Sequence, residues 1–459
     1  MAKPRFQAPK GTRDLYPEDM LRRRYVTQTW RDTSIRHGFE EIDGPTFETS
    51  ELYAVKSGDG ILNELFQAFS GKDPKDLEFI KENDRAQLAL RPEFTPTLAR
   101  LYAAKAAQLP KPTKWTNIGP RFRAERPQRG RGREFLQFDC DVLGTPTEDN
   151  AGKTDTTVAI MSVLLDTLDA FDLAGTTAAH VSDRNTVQRT LAVCGLGNER
   201  AVEGLQLLDQ RAKLPTDAFA TKATDLGLDL ERFDSTLAAN DADNPVLATM
   251  RQLGYADRVR PDYAIVRGLA YYTGTVFEVI ADGERSVAGG GRYDSLIELL
   301  GGPSTPAVGF AMGDMVLSLL LEDKGLMPEG PDLLEACSRP GASLRPEVFV
   351  ITGDEELDPT VRRLVADLRR GTEAEGFEGK PWAADRYTTR PLHARRSYKS
   401  TRNIGKLIKD ATGQHAKALV IIENQEHATV QDLDRKDKLE NIALVDVPAK
   451  VAQLTSLTQ

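Results

Sequence analysis

The chain is organised by stretches in which the spacing of apolar positions changes. Leu21, Tyr25 and Trp30 recur at helical spacing between Asp19 and His37-Gly38, predicting a first helix with Asp19 as its cap and Gly38 as its stop. F-E-E-I-D-G-P-T-F-E (39–48) reads as a strand broken at Gly44-Pro45. Residues 58–84 are polar and predict a surface loop with one short helix around Leu62 to Phe69. A-Q-L-A-L-R-P-E-F-T-P-T (86–97) predicts a strand that sets Arg91, Glu93 and Thr95 on one face. Next, Phe135, Gln137, Asp139 and Asp141 alternate with Leu136, Phe138, Cys140 and Val142. That period of two marks the second arm of a long antiparallel hairpin whose first arm ends at Arg123.

The second half alternates differently. Val158, Met161, Leu165 and Leu168 trace a helix stripe that core packing explains fully. A strand near His180 to Ser182 precedes a helix-rich segment, about 186–258, without strand signal. Residues 260–280 read as two strands around Gly268 and Gly274, and 309–317 as a glycine-rich strand leading into a helix. Residues 326–345, rich in Pro, Gly and charge, predict a linker. Beyond it come the strand E-V-F-V-I-T, a helix capped by Asp358, and the strands K-A-L-V-I-I-E and A-T-V-Q-D-L. Such alternation predicts a small α/β domain with a mixed sheet over 346–459.

Candidate chemistry concentrates on the hairpin. Arg121, Arg123, Arg126, Arg129, Arg131 and Arg133 surround a single early acid, Glu125. Guanidinium forks bind phosphate oxygens in pairs, so a polyanion is the natural guest. The competing reading, a solvated basic loop, is weakened by Gln137 and Asp141, a costly placement on the same strand if no ligand comes. Glu93 and Thr95 offer a charged acceptor and a hydroxyl to an ammonium group; an exposed salt bridge and a helix cap would use the same residues. A basic run, Arg386, Arg390, Arg395, Arg396, Lys399, Arg402, Lys406 and Lys409, is interleaved with Tyr387 and Tyr398. It suits the phosphates and splayed bases of single-stranded RNA, or else a solvated helix face.

Composition narrows the class. A chain of 459 residues exceeds one ordinary core, so two or three domains are expected. The net charge of -9 argues against indiscriminate coating of nucleic acid. Cys140, Cys194 and Cys337 are too far apart for a zinc spacing or a disulfide framework. The sequence shows no apolar leader region and no 18-residue apolar run, so a cytoplasmic protein without membrane contact is expected.

F-R-A-E-R-P, G-R-G-R-E-F and Q-F-D-C-D together resemble motif 2 of class II aminoacyl-tRNA synthetases, in the form carried by histidyl-tRNA synthetases. V-R-G-L-A-Y-Y-T-G-T-V-F-E from Val266 and A-G-G-G-R-Y-D from Ala288 resemble that family's two histidine-specific signatures. The resemblance covers nearly the whole chain. It implies an antiparallel-sheet class II catalytic domain over 1–325 with the helical insertion, a motif 1 dimer element with Pro45, and an anticodon-binding domain over 346–459. It implies a homodimeric histidine–tRNA ligase whose partners are L-histidine, ATP with magnesium, and tRNA(His). Arg267 would be the catalytic arginine bridging the carboxylate and the α-phosphate, with Arg123 on the same two groups. Glu93, Thr95, Arg123, Gln137, Asp141, Arg267, Tyr271, Tyr272 and Tyr293 would bind histidine. Arg123, Glu125, Arg133 and Phe135 would bind ATP. Gln128, Arg129, Arg131, Arg395, Arg396, Lys399 and Arg402 would meet tRNA. No protein side chain is assigned to a metal.

Two positions depart from the family pattern. Ala270 stands where relatives usually have Asp, and Val316 where the motif 3 arginine would clamp the γ-phosphate, with Arg292 or Arg129 as possible replacement charges. These departures leave open a non-catalytic paralogue that senses histidine or uncharged tRNA.

Overall fold

The computed structural model describes residues 6–57, 62, 64–197, 200–208, 210–211, 214–240, 244–263, 265, 272–281, 286–383 and 385–456. Its first helix, α1 (Pro17–Arg36), begins earlier than the periodicity predicts. Pro17 fits the first turn because its missing N–H has no partner to lose there. Asp19 sits inside that turn and accepts the Tyr16 N–H at 3.0 Å, so it closes the helix start from within. Gly38, at φ +77°, ends it as expected.

Eight strands make the main sheet: β1 (Glu40–Glu41), β2 (Thr113–Phe122), β3 (Glu134–Leu143), β4 (Thr177–Asp183), β5 (Val259–Pro261), β6 (Thr275–Ala281), β7 (Ser286–Arg292) and β8 (Ala307–Gly313). Their spatial order is β1-β2-β3-β8-β7-β6-β4-β5. The pairings are antiparallel except at the two edges, β1 with β2 and β4 with β5. The hairpin of β2 and β3 is therefore present as read, with Gly119 opposite Gln137 and Trp115 opposite Asp141.

The period of two in β3 sorts its side chains. Phe138, Cys140 and Val142 are wholly buried in the same core as Tyr25, Val26 and Trp30 of α1 and Met161 and Leu165 of the long helix α2 (Asn150–Ala170). The Trp30 and Phe138 rings stack at 5.4 Å. Each such side chain contributes roughly 1.5–3 kcal/mol by leaving water. Gln137, Asp139 and Asp141 face the opposite side.

The stretch 86–97 differs from its prediction. Only Leu88–Leu90 is strand, and Thr95 already opens a helix, Thr95–Ala103. Arg91 turns inward, with 1% exposure, and donates to Asp43 and to the Gly44 and Pro120 carbonyls. Arg121 is equally buried and donates to Asn117 and Asp139. The ring of Phe94 takes both guanidinium groups, at 5.4 and 5.1 Å. The proline after Arg91 ends the strand, and burial favours charges that find partners. Within 58–84 the described Leu62 and Glu64 are in a helical turn, where the short helix is predicted to begin, but a strand, Gln67–Ala68, replaces its later part and a further helix, Pro74–Asn83, follows.

Between β4 and β5 the chain forms a series of short helices with their own apolar core around Leu191, Phe219 and Phe233. After β8 comes α3 (Asp314–Asp323). The segment read as a linker carries α4 (Gly330–Ser338), whose Leu333 and Ala336 pack into the main core beside α1. Its apolar residues at helical spacing outweigh the flanking Pro and Gly.

The last part is a five-stranded mixed sheet of β9 (Val348–Thr352), β10 (Ala394–Arg396), β11 (Ala418–Ile422), β12 (His427–Asp432) and β13 (Lys438–Ala443), in the order β10-β9-β11-β12-β13. Helix α5 (Asp358–Arg370) covers it. Asp358 opens this helix without capping it; its carboxylate accepts both guanidinium nitrogens of Arg402 instead, each at 2.8 Å. Arg363 and Arg370 of α5 donate to the Gln252 and Leu253 carbonyls, and Arg396 meets Asp155 of α2, so the two sheets' units are joined by charge.

Candidate active site

Two adjoining cavities open on the polar face of β3, β8, β7 and β6. The inner one, about 260 Å³, is lined by Glu93, Thr95, Gln137, Asp141, Tyr272 and Tyr293, among others. The outer one, about 650 Å³, is lined by Arg123, Glu125, Arg131, Phe135, Glu278 and Val316, among others. Arg123, Gln137 and Glu278 belong to both walls.

The inner cavity exists because glycines lie under it. A Cβ at Gly309 would overlap the Asp141 carboxylate, and one at Gly290 would overlap the Gly309 carbonyl. Above them the Tyr293 hydroxyl donates to Asp141 Oδ1, with both side chains nearly out of water. Burial, and then the Asp141 charge, push the Tyr293 phenol well above its usual value, so it stays a donor. The buried Gln137 Oε1 has no hydrogen-bond partner among the described residues. An orphaned acceptor facing a cavity suits a ligand that brings a donor.

Arg123 sits where the cavities meet. Its Nε donates to the Pro92 carbonyl at 3.1 Å and its guanidinium lies 5.0 Å over the Phe135 ring. Glu125 lies 4.0 Å from one terminal nitrogen, leaving the fork directed at the cavities but not locked by a carboxylate. Arg133 is partly spent: its Nε holds the Glu125 carbonyl and its backbone N–H the Gly11 carbonyl, tying the N-terminal segment over the hairpin.

The hairpin loop turns on a Gln128–Arg131 bridge, with Gly130 at φ +75°. Gly130 fits directly against Val316 of α3, where an added Cβ would lie 3.2 Å from the valine methyl. Neither replacement cation considered for Val316 faces the outer cavity. Arg292 is buried and donates to the Lys153 carbonyl, Thr156, Thr157 and Asp294. Arg129 is paired with Asp323 at 2.5 Å. Arg131, 3.6 Å from Glu125, does line it.

Arg267, Ala270 and Tyr271 lie outside the described residues. Of the other C-terminal cations, Arg395 donates to His393 and Gln414, Arg396 to Asp155 and Arg402 to Asp358, so these three serve internal contacts. Lys399 meets Asp410 at 3.0 Å and is 56% exposed. Asp139 lines the inner cavity with Gln137 and Asp141, on the face the alternation predicts, whereas Glu278, on both walls, is not singled out by the sequence. Glu278 was legible in principle, since it alternates with Phe277 and Val279 in a strand. Among the described residues no cluster of His, Cys, Asp and Glu could hold a metal ion, and no helix is long and apolar enough to cross a membrane.

An antiparallel sheet that carries a motif 2 hairpin and a glycine-rich strand running into a helix around one cleft defines a class II aminoacyl-tRNA synthetase catalytic fold. The model of the family described as "Histidyl-tRNA synthetase" matches residues 11–315. The chain is 37% identical over 351 residues to the histidine–tRNA ligase of Opitutus terrae, covering 70% of this chain and 76% of that one. It is 34% identical over 394 residues to that of Haloarcula marismortui, covering 79% and 82%. The solved histidyl-tRNA synthetase of Nostoc sp. PCC 7120 shares the fold, with a TM-score of 0.54 at 20% identity, over 98% of this chain and 100% of that one. The chain belongs to the histidyl-tRNA synthetase family.

Proposed function

We propose that the chain is a histidine–tRNA ligase that joins L-histidine to ATP and passes the aminoacyl group to tRNA(His). The observation that carries this is the shared wall: Arg123 and Gln137 border both a small polar cavity and a larger cationic one. The inner cavity takes histidine. Glu93 and Thr95 receive its ammonium group, while Gln137, Asp141, Tyr272 and Tyr293 surround the imidazole. The outer cavity takes ATP, with Phe135 and Glu125 on the adenine and Arg123 on the α-phosphate. A fixed guanidinium there aligns two anions that otherwise repel and stabilises charge on the pentacoordinate phosphorus. A histidine carboxylate oxygen attacks that phosphorus and pyrophosphate leaves. A ribose hydroxyl of the terminal tRNA adenosine then attacks the acyl carbon, releasing AMP. Arg267 and Tyr271 join this set by family resemblance.

Magnesium accompanies the nucleotide; Glu278, on the outer wall, is an oxygen donor of the kind it would take. The loop with Gln128, Arg129 and Arg131, together with the exposed Lys399, is the reading for tRNA contact, with Arg395, Arg396 and Arg402 holding the surrounding framework. The same reading divides the chain into a catalytic unit, 1–325, an insertion at about 186–258, a connecting segment, 326–345, and an anticodon-binding unit, 346–459. The separate apolar cores of the insertion and the last unit support it. It places the protein in the cytoplasm as a homodimer, joined near Pro45, where Phe47, Val55 and Phe69 are exposed. The test is aminoacylation of a tRNA(His) transcript with labelled histidine. Charging with histidine alone among the amino acids is expected; charging with another, or with none, refutes the proposal.

A further inference from the structure

A third cavity, of about 490 Å³, lies away from the cleft, between the catalytic unit and the C-terminal sheet. Seven side-chain cations line it against two carboxylates, Glu40 and Asp410, in a chain whose net charge is -9. Asp410 is already engaged by Lys399 and by the Ser397 hydroxyl. Arg396 is taken by Asp155, and Arg395 by neutral partners, His393 and Gln414. Lys111, Lys114, Arg369 and Lys409 have no carboxylate within ion-pair distance among the described residues.

Two of these are deeply placed. Lys114 Nζ donates to the His37 carbonyl at 3.2 Å, lies over the Tyr398 and Phe39 rings at 5.2 and 5.5 Å, and hydrogen-bonds the Tyr398 side chain. Arg369 donates to the Ala394 carbonyl and to His37 Nδ1. His37 itself is neutral, its other nitrogen 2.9 Å from Asp166. Burial lowers the affinity of both Lys114 and Arg369 for their protons; the Tyr398 phenol, and for Arg369 the Asp166 carboxyl, oppose this in part, while neighbouring cations add to it. Gathering cations out of water without counter-charge is costly, and an anion between them would offset that cost.

We propose that this cavity is a phosphate-binding site, taking an oligophosphate group that bridges Lys111 and Lys114 of the catalytic unit to Lys399 and Lys409 of the C-terminal unit. The volume is in the range of small-molecule sites. Guanidinium and ammonium groups together match phosphate oxygens, and a ligand touching both units strengthens their docking. The site does not depend on the ligase reading.

The probe is inorganic tripolyphosphate, titrated calorimetrically into Arg123→Ala protein so that the cleft's own phosphate contact is weakened. Lys111→Glu/Lys409→Glu in that background is expected to weaken binding at least tenfold. Both lysines are exposed and unpaired, so pyrophosphate exchange by the double variant with Arg123 intact remains at the wild-type level, showing that it folds. Lys409→Glu alone gives an intermediate loss. Binding unchanged by the pair overturns the proposal. Where binding is lost, the KM for tRNA in aminoacylation names the source: a rise of tenfold or more in Lys111→Glu/Lys409→Glu identifies an RNA backbone phosphate, and no change identifies a free oligophosphate.

Discussion

Tyr293 directly follows β7 and Asp141 lies in β3, strands that are not neighbours in the sheet, yet the phenol donates to the carboxylate directly over the floor left by Gly309. The pair presents a fixed acceptor to the inner cavity. Tyr293→Phe removes a charge-assisted bond worth about 1.5–3 kcal/mol. It should raise the KM for histidine roughly tenfold or more, while the KM for ATP stays within about twofold. Steady-state pyrophosphate exchange with each substrate varied measures both. Equal rises would mean the pair shapes the whole cleft and not the histidine cavity.

Val316 faces the outer cavity against Gly130. Val316→Arg places a cation where the triphosphate tail would lie, and should lower the KM for ATP several-fold. The longer side chain must displace the 126–132 loop, so the KM for tRNA should rise in the same variant. A higher KM for ATP would show that the valine is not a missing clamp.

Asp155 joins the two large units through Arg396 and Arg362. Burial raises a carboxyl's pKa, but these cations outweigh it and hold Asp155 below the usual range. Its contribution is thus present above the unfolded carboxyl pKa and lost as pH falls through the lower folded value. Asp155→Ala leaves the largely covered Arg396, with 17% of its side chain exposed, without its nearest carboxylate and should cost about 3 kcal/mol, the low end for a buried pair. Thermal or denaturant unfolding at pH 7 measures this; a change under about 1 kcal/mol refutes the role.

His393 sits neutral between two partners, its Nδ1–H donating to the Ser343 carbonyl and its Nε2 accepting from Arg395. Burial, and then Arg395, bring its pKa down to about 3. The unfolded chain therefore binds more protons between about pH 6.5 and 3, and stability falls as pH drops through that window. His393→Gln should flatten that part of the stability curve. An unchanged slope would show that His393 is not the sensitive group.

Several features were legible because local pattern and tertiary packing agree. The alternation from Phe135 to Val142 predicts both the strand and which side chains face the cleft, since one face must be dry. The glycine-rich strand into a helix at 309–317 was legible for the same reason. Arg91 was not: a helix opening at Thr95 and a carboxylate at Asp43 draw it inside, and neither partner is near in sequence. Arg396 reads as part of a solvent-facing basic run, but its partner is 241 residues away. Charge runs predict where cations are and not what neutralises them. The linker misled because Leu333 and Ala336 count for more than the prolines beside them.

The central claim is that amino acid and nucleotide meet at Arg123. Histidine-dependent ATP–pyrophosphate exchange, run with the wild-type protein and Arg123→Ala, tests it most directly. The account predicts exchange in the wild type and a loss of about 10²–10³-fold in the variant, as for removal of a fixed group that stabilises transition-state charge, with the fold unchanged by circular dichroism. Exchange that survives in Arg123→Ala, or none in the wild type at saturating ATP and histidine, would contradict it.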